Sequence, residues 1–328
     1  MAQFGRKFDE DGLKALEDVL TLPEQGHWWR DLLSLWYPSG QSTGDYGLRL
    51  AIRNGYMNFY RRGQSVARVS LNQNRKPMLS VHAKYVLAKK ERRAVKGQEY
   101  VTLTTDSLVR RGGQSALPYK GIETLKAWVR AVDKEYSGPE KRLVDELLGV
   151  PQNDGVIDLE MGLPAWRKKK TAPRMDLVSV ERARGVLTVF FGEVKRVTDS
   201  RLRCRAPVKQ DKKPEVLKQL SNYRKYLAEP DHAALVGKQY ANAACLMKRL
   251  RAMADVVGPV RALGQTILEA ATRDDLAVAP LATLVVMNEA SANQTAWEKH
   301  RVKLESEKER VPMIVMEAPA ALRFGDRA

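Results

Sequence analysis

The sequence predicts an α/β core in its second half and an α+β domain before it. From about residue 136 the apolar pattern runs in the order helix, three-stranded β-meander, helix and strand, which is typical of an α/β core. Over residues 46–70 apolar and polar residues alternate around two turns, which predicts a further β-meander. The 328 residues suffice for two domains. We therefore predict an N-terminal domain over residues 1–130 and a second domain over 131–328.

The N-terminal domain is predicted to begin with two short helices within residues 8–36, around a turn at Pro23 to Gly26. The meander follows, with turns at Asn54-Gly55 and Arg62-Gly63. A further strand is predicted over residues 78–87. A helix is predicted over 121–135, because one side carries the apolar residues Leu125, Trp128, Val129 and Val132.

The role of the N-terminal domain is left open between nucleic-acid binding and protein binding. Its meander mixes aromatic with basic residues, which stack bases and grip phosphates in some proteins. The same residues also fit the core of a small domain with a basic exterior, and we favour that interpretation. Three tryptophans indicate either a core or a protein contact surface. The mixed residues are Tyr46, Tyr56, Phe59, Tyr60, Arg49, Arg53, Arg61 and Arg62, and the tryptophans are Trp28, Trp29 and Trp36.

The second domain is predicted to open with a helix after Ser137-Gly138, with Pro139 in its first turn and Gly149 just past its end. Apolar runs then predict three successive strands, and a basic loop leads into another helix. The strands are VIDLEM, RMDLVSV and VLTVFFGEVK, and the helix is PEVLKQLSNYRKYLA. Further on we predict a helical insertion at about 232–276, a strand in LATLVVMNEA, a polar helix over 291–310 and a closing strand in VPMIVME.

The charge indicates a polyanionic partner. The 56 Lys and Arg against 39 Asp and Glu give a formal net charge of +17. Nucleic acid, DNA above all, is the expected partner, and a membrane is not, because no run approaches the ~18 apolar residues of a bilayer span. Two cysteines, Cys204 and Cys245, exclude a disulfide framework and a cysteine zinc site. With no apolar signal segment at the start, we expect a cytoplasmic location.

Three charged residues, Asp176, Glu193 and Lys195, lie in two neighbouring predicted strands. In a strand, Glu193 and Lys195 point to the same face, which Val189 and Phe191 share. A hairpin through residues 181–185 brings Asp176 close to Glu193. The two carboxylates and the Val194 carbonyl are hard oxygen ligands, which Mg²⁺ and Mn²⁺ prefer. Lys195 beside them would position a water or neutralise charge on a phosphate.

This spacing resembles the PD-(D/E)xK, or restriction-endonuclease-like, nuclease superfamily. Asp176 is followed seventeen residues later by Glu193-Val194-Lys195, although Arg174-Met175 stands where the family has its proline motif. Gln219 and Tyr223 resemble the QxxxY signature of the RecB-type and λ-exonuclease-like branch. The resemblance covers about residues 138–227.

The resemblance implies a restriction-endonuclease-like fold and a Mg²⁺- or Mn²⁺-dependent DNA nuclease. It implies that Asp176, Glu193 and Val194 are metal ligands and that Gln219 and Tyr223 hold DNA and the site geometry. A third acid comes from the preceding helix in that family, and Glu140 is our candidate, with Glu146 as the fallback. Defence against phage or plasmid DNA, DNA repair, and a helicase, ATPase or defence-system subunit as partner are also implied. The oligomeric state is not.

Basic residues flank this site in the sequence. Lys168, Lys169 and Lys170 precede Asp176 in the run WRKKK, which fits either a phosphate contact or a solvated charge run. If residues 201–205 are extended, Arg201, Arg203 and Arg205 lie on one side and suit phosphates along a strand.

Each of these residues also has an ordinary structural interpretation. Asp176 and Glu193 would then pair with Arg174 and Lys195 at an edge strand, and Glu140 would be a favourable first-turn acid. Glu160 is an extra ligand or a strand-end acid. The alternatives to a nuclease are therefore a non-cleaving nucleic-acid-binding module on the same fold, or a protein-interaction subunit.

Overall fold

The structure is a computed structural model that contains helices and two β-sheets. The residues it describes are 4–21, 27–87, 99–103, 107–110, 113–165, 174–203, 214–259, 261–288, 294–306 and 311–327. Within these ranges, no helix is both long and apolar enough to cross a bilayer. The predicted mixture of helices and strands is confirmed.

The first half forms a seven-stranded antiparallel meander in which each strand pairs with the next in sequence. Its helices are α1 (Glu10–Thr21), α2 (Trp28–Leu35), α3 (Ala83–Val86) and α4 (Ile122–Glu135). Its strands are β1 (Arg49–Arg53), β2 (Tyr56–Arg61), β3 (Gln64–Leu71), β4 (Pro77–His82), β5 (Tyr100–Leu103), β6 (Ser107–Arg110) and β7 (Gly113–Pro118).

Most predicted elements of the first half are confirmed. Arg62 and Gly63 both have positive φ, 46° and 65°, which matches the tight β2–β3 turn. The four apolar residues predicted to share one side of α4 are all buried. The strand predicted over residues 78–87 is wrong beyond His82, whose ring Nδ1 caps α3 by accepting a bond from the Lys84 amide. Strands β5 to β7 were not predicted.

The second half forms a mixed sheet in the order β13-β12-β10-β9-β8, with β11 also pairing with β10. Strands β8 to β10 are antiparallel, and β11 and β12 run parallel to β10. The predicted order of helix, three strands, helix and strand is confirmed. The helices are α5 (Pro139–Gly149), α6 (Glu215–Leu227), α7 (Pro230–Asp255), α8 (Gln265–Ala270) and α9 (Gln294–Ser306). The strands are β8 (Val156–Gly162), β9 (Arg174–Ala183), β10 (Val186–Arg196), β11 (Ala277–Val278), β12 (Thr283–Met287) and β13 (Met313–Met316).

Strand β10 is the centre of this sheet and buries both faces. Val189 and Phe191 join the core that includes Tyr223 of α6 and Tyr240 of α7. Phe190 lies on the opposite face and joins the core that contains the apolar side of α5. Helices therefore cover both sides of the sheet, and they hold the end of β10 in a fixed place.

The basic residues of the first meander are mostly buried in ion pairs. Arg49 pairs with Asp145, Arg53 with Asp158 and Arg61 with Asp133. Their aromatic neighbours Phe59 and Tyr60 and the three tryptophans are also buried. This supports the core interpretation for these residues, but the arginines lie inside the protein and not on a basic exterior.

A buried ion cluster joins the two halves. Asp158 of β8 pairs with Arg53 of β1 at 2.5 Å and with Arg6 at 2.9 Å, and the Tyr240 hydroxyl donates to it at 3.0 Å. The main hydrophobic core likewise contains residues of both halves. The predicted domain boundary at residue 130 falls inside α4, and the nearest break between helices is at Ser137 and Gly138.

We expect Asp158→Asn to lower the free energy of unfolding by about 3–5 kcal/mol, because it leaves two buried arginines without a countercharge. Denaturation in urea, followed by circular dichroism, measures this loss. The control is Glu298→Gln, which removes an exposed pair with Arg301 and should cost under about 1 kcal/mol. Equal small losses in both variants would contradict the prediction.

Candidate functional site

The hairpin of β9 and β10 places Asp176 beside Glu193, as predicted. Leu177 pairs with Gly192, so that Asp176 and Glu193 follow at the next position of the ladder. The carboxylate Oδ2 of Asp176 accepts a hydrogen bond from the Val194 amide at 2.8 Å. The ladder and this bond together fix the two acids at one end of the strand pair.

The Lys195 ammonium lies among three carboxylates and is 1% exposed. Its Nζ is 2.5 Å from Glu193 Oε1, and 3.4 Å from both Asp176 Oδ2 and Glu140 Oε1. It also donates to the Val194 carbonyl at 2.6 Å. The surface ion-pair interpretation of Asp176 and Glu193 is therefore wrong for Glu193 and Lys195, because both are buried.

Helix α5 brings Glu140 to this cluster through its first turn. Pro139 starts the helix, and Glu140 follows it with its carboxylate near Lys195. The guanidinium of Arg201 donates to Glu140 at 3.0 Å and to Asp199 at 2.6 Å. The fallback acid Glu146 lies on the exposed side of α5. Of the two candidates, Glu140 is the acid that the structure brings to the cluster.

Asp199 belongs to this cluster and was missed from the sequence. Its side chain accepts a bond from the Arg201 amide at 2.8 Å and so begins the 3₁₀ turn Ser200–Leu202. Burial raises its pKa, but the hydrogen bonds from Arg201 outweigh burial and lower the pKa to about 2. An aspartate two residues before an arginine, just after a strand, is the signal that could have identified this turn.

The same turn corrects one prediction. Residues 201–205 are not one extended segment, because Ser200–Leu202 is helical. Arg201 is held by two carboxylates, and Arg203 is exposed. Arg205, Lys168, Lys169 and Lys170 lie outside the described residues.

Burial sets the electrostatics of the cluster. It raises the pKa of Glu193 to about 8, and the nearby Asp176 carboxylate adds to this shift while Lys195 opposes it. Burial also raises the pKa of Asp176 and of Glu140. For Lys195 burial lowers the pKa, but the carboxylates of Asp176 and Glu193 outweigh burial, so the pKa is raised and the ammonium keeps its proton.

One oxygen of Glu193 has no hydrogen-bond partner. Its Oε2 is buried, whereas Oε1 contacts Lys195. A buried carboxylate oxygen without a donor is costly, and a divalent cation is one group that would compensate it. Among the described residues, however, no group of three or more His, Cys, Asp or Glu side chains has the arrangement to hold a metal. The hard oxygen atoms at this place are those of Asp176 and Glu193 and the Val194 carbonyl, which already accepts a bond from Lys195.

Gln219 and Tyr223 contact the strands that carry the acids. The Gln219 amide donates to the Arg174 carbonyl at 2.9 Å, two residues before Asp176. The Tyr223 ring lies 5.9 Å from that of Phe191, and its hydroxyl donates to the Met161 carbonyl at 3.4 Å. These contacts hold β8, β9 and β10 in position beneath the cluster.

Glu160 faces Asp176 from the next strand. The β8–β9 register pairs Leu159 with Leu177 and Met161 with Met175, which leaves Glu160 opposite Asp176. Glu160 has φ of 50°, which is rare for a residue other than glycine. Its carboxylate accepts a bond from Lys141 at 3.1 Å, and Lys141 also donates to the Gly63 carbonyl at 3.0 Å. The β2–β3 turn of the first sheet therefore forms one wall of the cluster.

We expect wild type without metal to lose stability relative to Glu193→Gln as the pH rises from 5 to 8. The reason is that an unfolded glutamate releases its proton near pH 4.5, whereas folded Glu193 keeps it until about pH 8. Thermal melts in EDTA at each pH measure the Tm of both proteins. Between pH 5 and pH 8, the Tm of wild type should fall relative to that of Glu193→Gln by more than about 2 °C. A difference that stays constant from pH 5 to 8 would contradict the raised pKa.

Comparisons with known proteins provide no independent support for a function. No protein-family model matches the chain, and neither the curated proteins nor the solved structures give a significant match. The functional assignment therefore depends on the arrangement of Asp176, Glu193, Lys195 and Glu140.

Proposed function

We propose that this protein is a Mg²⁺- or Mn²⁺-dependent nuclease that hydrolyses DNA phosphodiester bonds. The observation that carries the proposal is the grouping of Asp176, Glu193 and Lys195 at one strand end, with a buried oxygen of Glu193 lacking a partner. The order α5, β8 to β10, α6 and β12 supports a restriction-endonuclease-like core. The contacts of Gln219 and Tyr223 support the RecB-type and λ-exonuclease-like branch.

Asp176, Glu193 and the Val194 carbonyl are the groups that would hold the cation. When bound, a divalent cation polarises the phosphate and makes water a stronger acid. Lys195 keeps its proton and so offers a positive charge to the negative charge that develops on the phosphate oxygens. Glu140, at the accessible side of the cluster, would orient the attacking water. Gln219 and Tyr223 would act by positioning the strands.

DNA is the substrate that the charge supports. The net charge of +17 favours a phosphate backbone. Arg203, which is exposed and follows Arg201 by two residues, fits a phosphate contact. We assign the same role to Lys168, Lys169, Lys170 and Arg205. Cleavage of phage or plasmid DNA, or DNA repair, with a helicase, ATPase or defence-system subunit as partner, is consistent with such an enzyme.

A non-cleaving nucleic-acid-binding module, or a subunit that a partner activates, is the second candidate. It is favoured by the position of the Lys195 ammonium, which already bridges Glu193, Asp176 and Glu140. In that arrangement the lysine supplies the positive charge that a cation would otherwise bring. The two candidates differ in whether divalent metal produces cleavage.

We expect Mg²⁺ or Mn²⁺ to support cleavage and EDTA to abolish it. The cleavage rate should fall by about 100-fold or more in each of three variants, Asp176→Asn, Glu193→Gln and Lys195→Met. The first two remove a negative charge that would hold the cation, and the third removes the positive charge beside the reacting phosphate. Linear duplex, circular duplex and single-stranded DNA are the substrates, and gel analysis of the products gives the rates. Cutting of the circular DNA identifies an endonuclease.

The matched control is Glu146→Gln, which removes an exposed carboxylate from the same helix as Glu140. It should leave the rate within about twofold of wild type. DNA binding by all the proteins, with no cleavage under either metal, would instead support the non-cleaving module or the partner-activated subunit.

A further inference from the structure

The outer face of the first sheet is polar and aromatic, in contrast to its core face. The register aligns Asn58, Arg68, Ser80 and Thr102 across β2 to β5. The alternate row, Met57, Val69, Leu79 and Leu103, is buried in the main core. Because side chains alternate between faces, the first row lies on the opposite side, together with Tyr56 and Tyr100.

A groove runs over this outer face. It has a volume of about 430 Å³, and its lining includes Arg68, Ser70, Met78, Ser80 and Tyr100. Asp9 also lines the groove, and its carboxylate pairs with Arg75. The groove therefore presents an aromatic ring, hydroxyls, a guanidinium and apolar side chains, and its one carboxylate is already paired.

Among the residues that line the groove, Arg68 most strongly indicates a ligand-binding role. Its guanidinium carbon lies 3.9 Å from the centre of the Tyr56 ring, so the two groups stack. Its Nε is buried and has no hydrogen-bond partner. A guanidinium that stacks on an aromatic ring is suited to a phosphate or to the edge of a base.

Contacts continue from this groove towards the candidate site. The His82 ring lies 5.4 Å from Tyr100 and 5.8 Å from Tyr85. The Lys84 ammonium lies 4.8 Å from the Tyr85 ring. Burial and the neighbouring charge of Lys141 lower the pKa of Lys84, so both ammonium groups lie in one region.

Lys141 completes the path, because it contacts Glu160, which faces Asp176. His82, Lys84 and Lys141, which are partly exposed, therefore lie between the groove and the cluster, and the buried Tyr85 ring packs beneath them. A ligand that occupied the whole path would be long, flexible, planar in its repeated parts and negatively charged.

We propose that this groove binds single-stranded DNA and directs it to the cluster around Asp176. Bases of a single strand are free to stack on Tyr100 and on the paired Arg68 and Tyr56, whereas bases in a duplex stack on one another. The phosphates are neutralised by Arg68, Lys84 and Lys141. Binding in the groove stands by itself, and the transfer to the cluster rests on the proposed nuclease function.

The test is the binding of a fluorescent 20-nucleotide oligo(dT), measured by anisotropy in EDTA. Arg68→Gln and Tyr100→Ala should each raise the Kd by about tenfold, because each removes a stacking surface. Arg68→Lys keeps the charge but not the planar group, and its Kd should lie between those of wild type and Arg68→Gln. Competition with unlabelled duplex DNA and with oligo(U) separates single-stranded DNA from the other nucleic acids.

The matched control is Arg273→Gln, which removes the same charge from an exposed residue of the second half, away from the groove. It should change the Kd by less than about twofold, and melting temperatures close to wild type verify folding. Equal Kd values for wild type, Arg68→Gln and Tyr100→Ala would overturn the proposal. So would equal weakening by Arg273→Gln, or competition by duplex as strong as by single strand.

Cleavage kinetics separate this inference from the proposed function. With Mg²⁺ and single-stranded DNA, the groove variants should raise KM and leave kcat within about twofold of wild type. If neither wild type nor any variant cleaves DNA, but the groove variants still bind oligo(dT) more weakly, the nuclease proposal fails and the proposal that the groove binds single-stranded DNA is supported. If wild type cleaves DNA and the groove variants show an unchanged KM, the proposal for the groove fails and the nuclease proposal is supported.

Discussion

The buried pairing of Asp158 with Arg6 and Arg53 is the interaction on which the arrangement of the two sheets depends. Three charges buried together are costly, and attraction compensates the cost only when the geometry satisfies every group. Here both carboxylate oxygens accept bonds from arginines, and the Tyr240 hydroxyl and the Leu159 amide add two more. Any sliding of β1 along β8 would break this set. The register of β8 is therefore fixed, and Glu160, two residues on, is held opposite Asp176.

The buried charge clusters around Asp158 and around Glu193 differ in whether every charged group has its hydrogen-bond partners. This difference distinguishes a structural cluster from the candidate functional one. At Asp158, burial raises the pKa, but the two arginines outweigh it and the pKa is lowered. At Glu193, burial and the neighbouring Asp176 outweigh a single lysine, and one oxygen has no donor. Proteins seldom keep such a group without a use for it, because replacing it by an apolar residue would improve stability. This contrast is why we propose the incomplete cluster, and not the one around Asp158, as the site for a cation and a phosphate.

Local patterns in the sequence predicted those features of the fold that are determined by residues close together in the chain. The apolar side of α4, the three strands β8 to β10, and the approach of Asp176 to Glu193 all follow from periodicity and one hairpin. The burial of Arg49, Arg53 and Arg61 did not follow, because their partners are distant in sequence, as with Arg53 and Asp158, which are 105 residues apart. A basic residue in an aromatic strand looks the same whether it faces a phosphate or a buried aspartate. The contact of Lys141 with Gly63 was missed for the same reason, whereas Asp199 was missed although its partner Arg201 is only two residues away.

The contact at Gly63 shows why the two halves act as one unit. A Cβ at Gly63 would lie 2.9 Å from both Glu160 Oε1 and Lys141 Cδ, so the turn packs directly against these side chains. Its φ of 65° and the positive φ of Glu160 place two unusual backbone conformations in contact. Each such conformation outside glycine costs about 1 kcal/mol or more, and surrounding contacts must maintain it. Lys141 supplies them, since it bonds to the turn and to Glu160 at once. The first sheet thereby sets the direction of the carboxylate that faces Asp176, and it forms part of the candidate site itself.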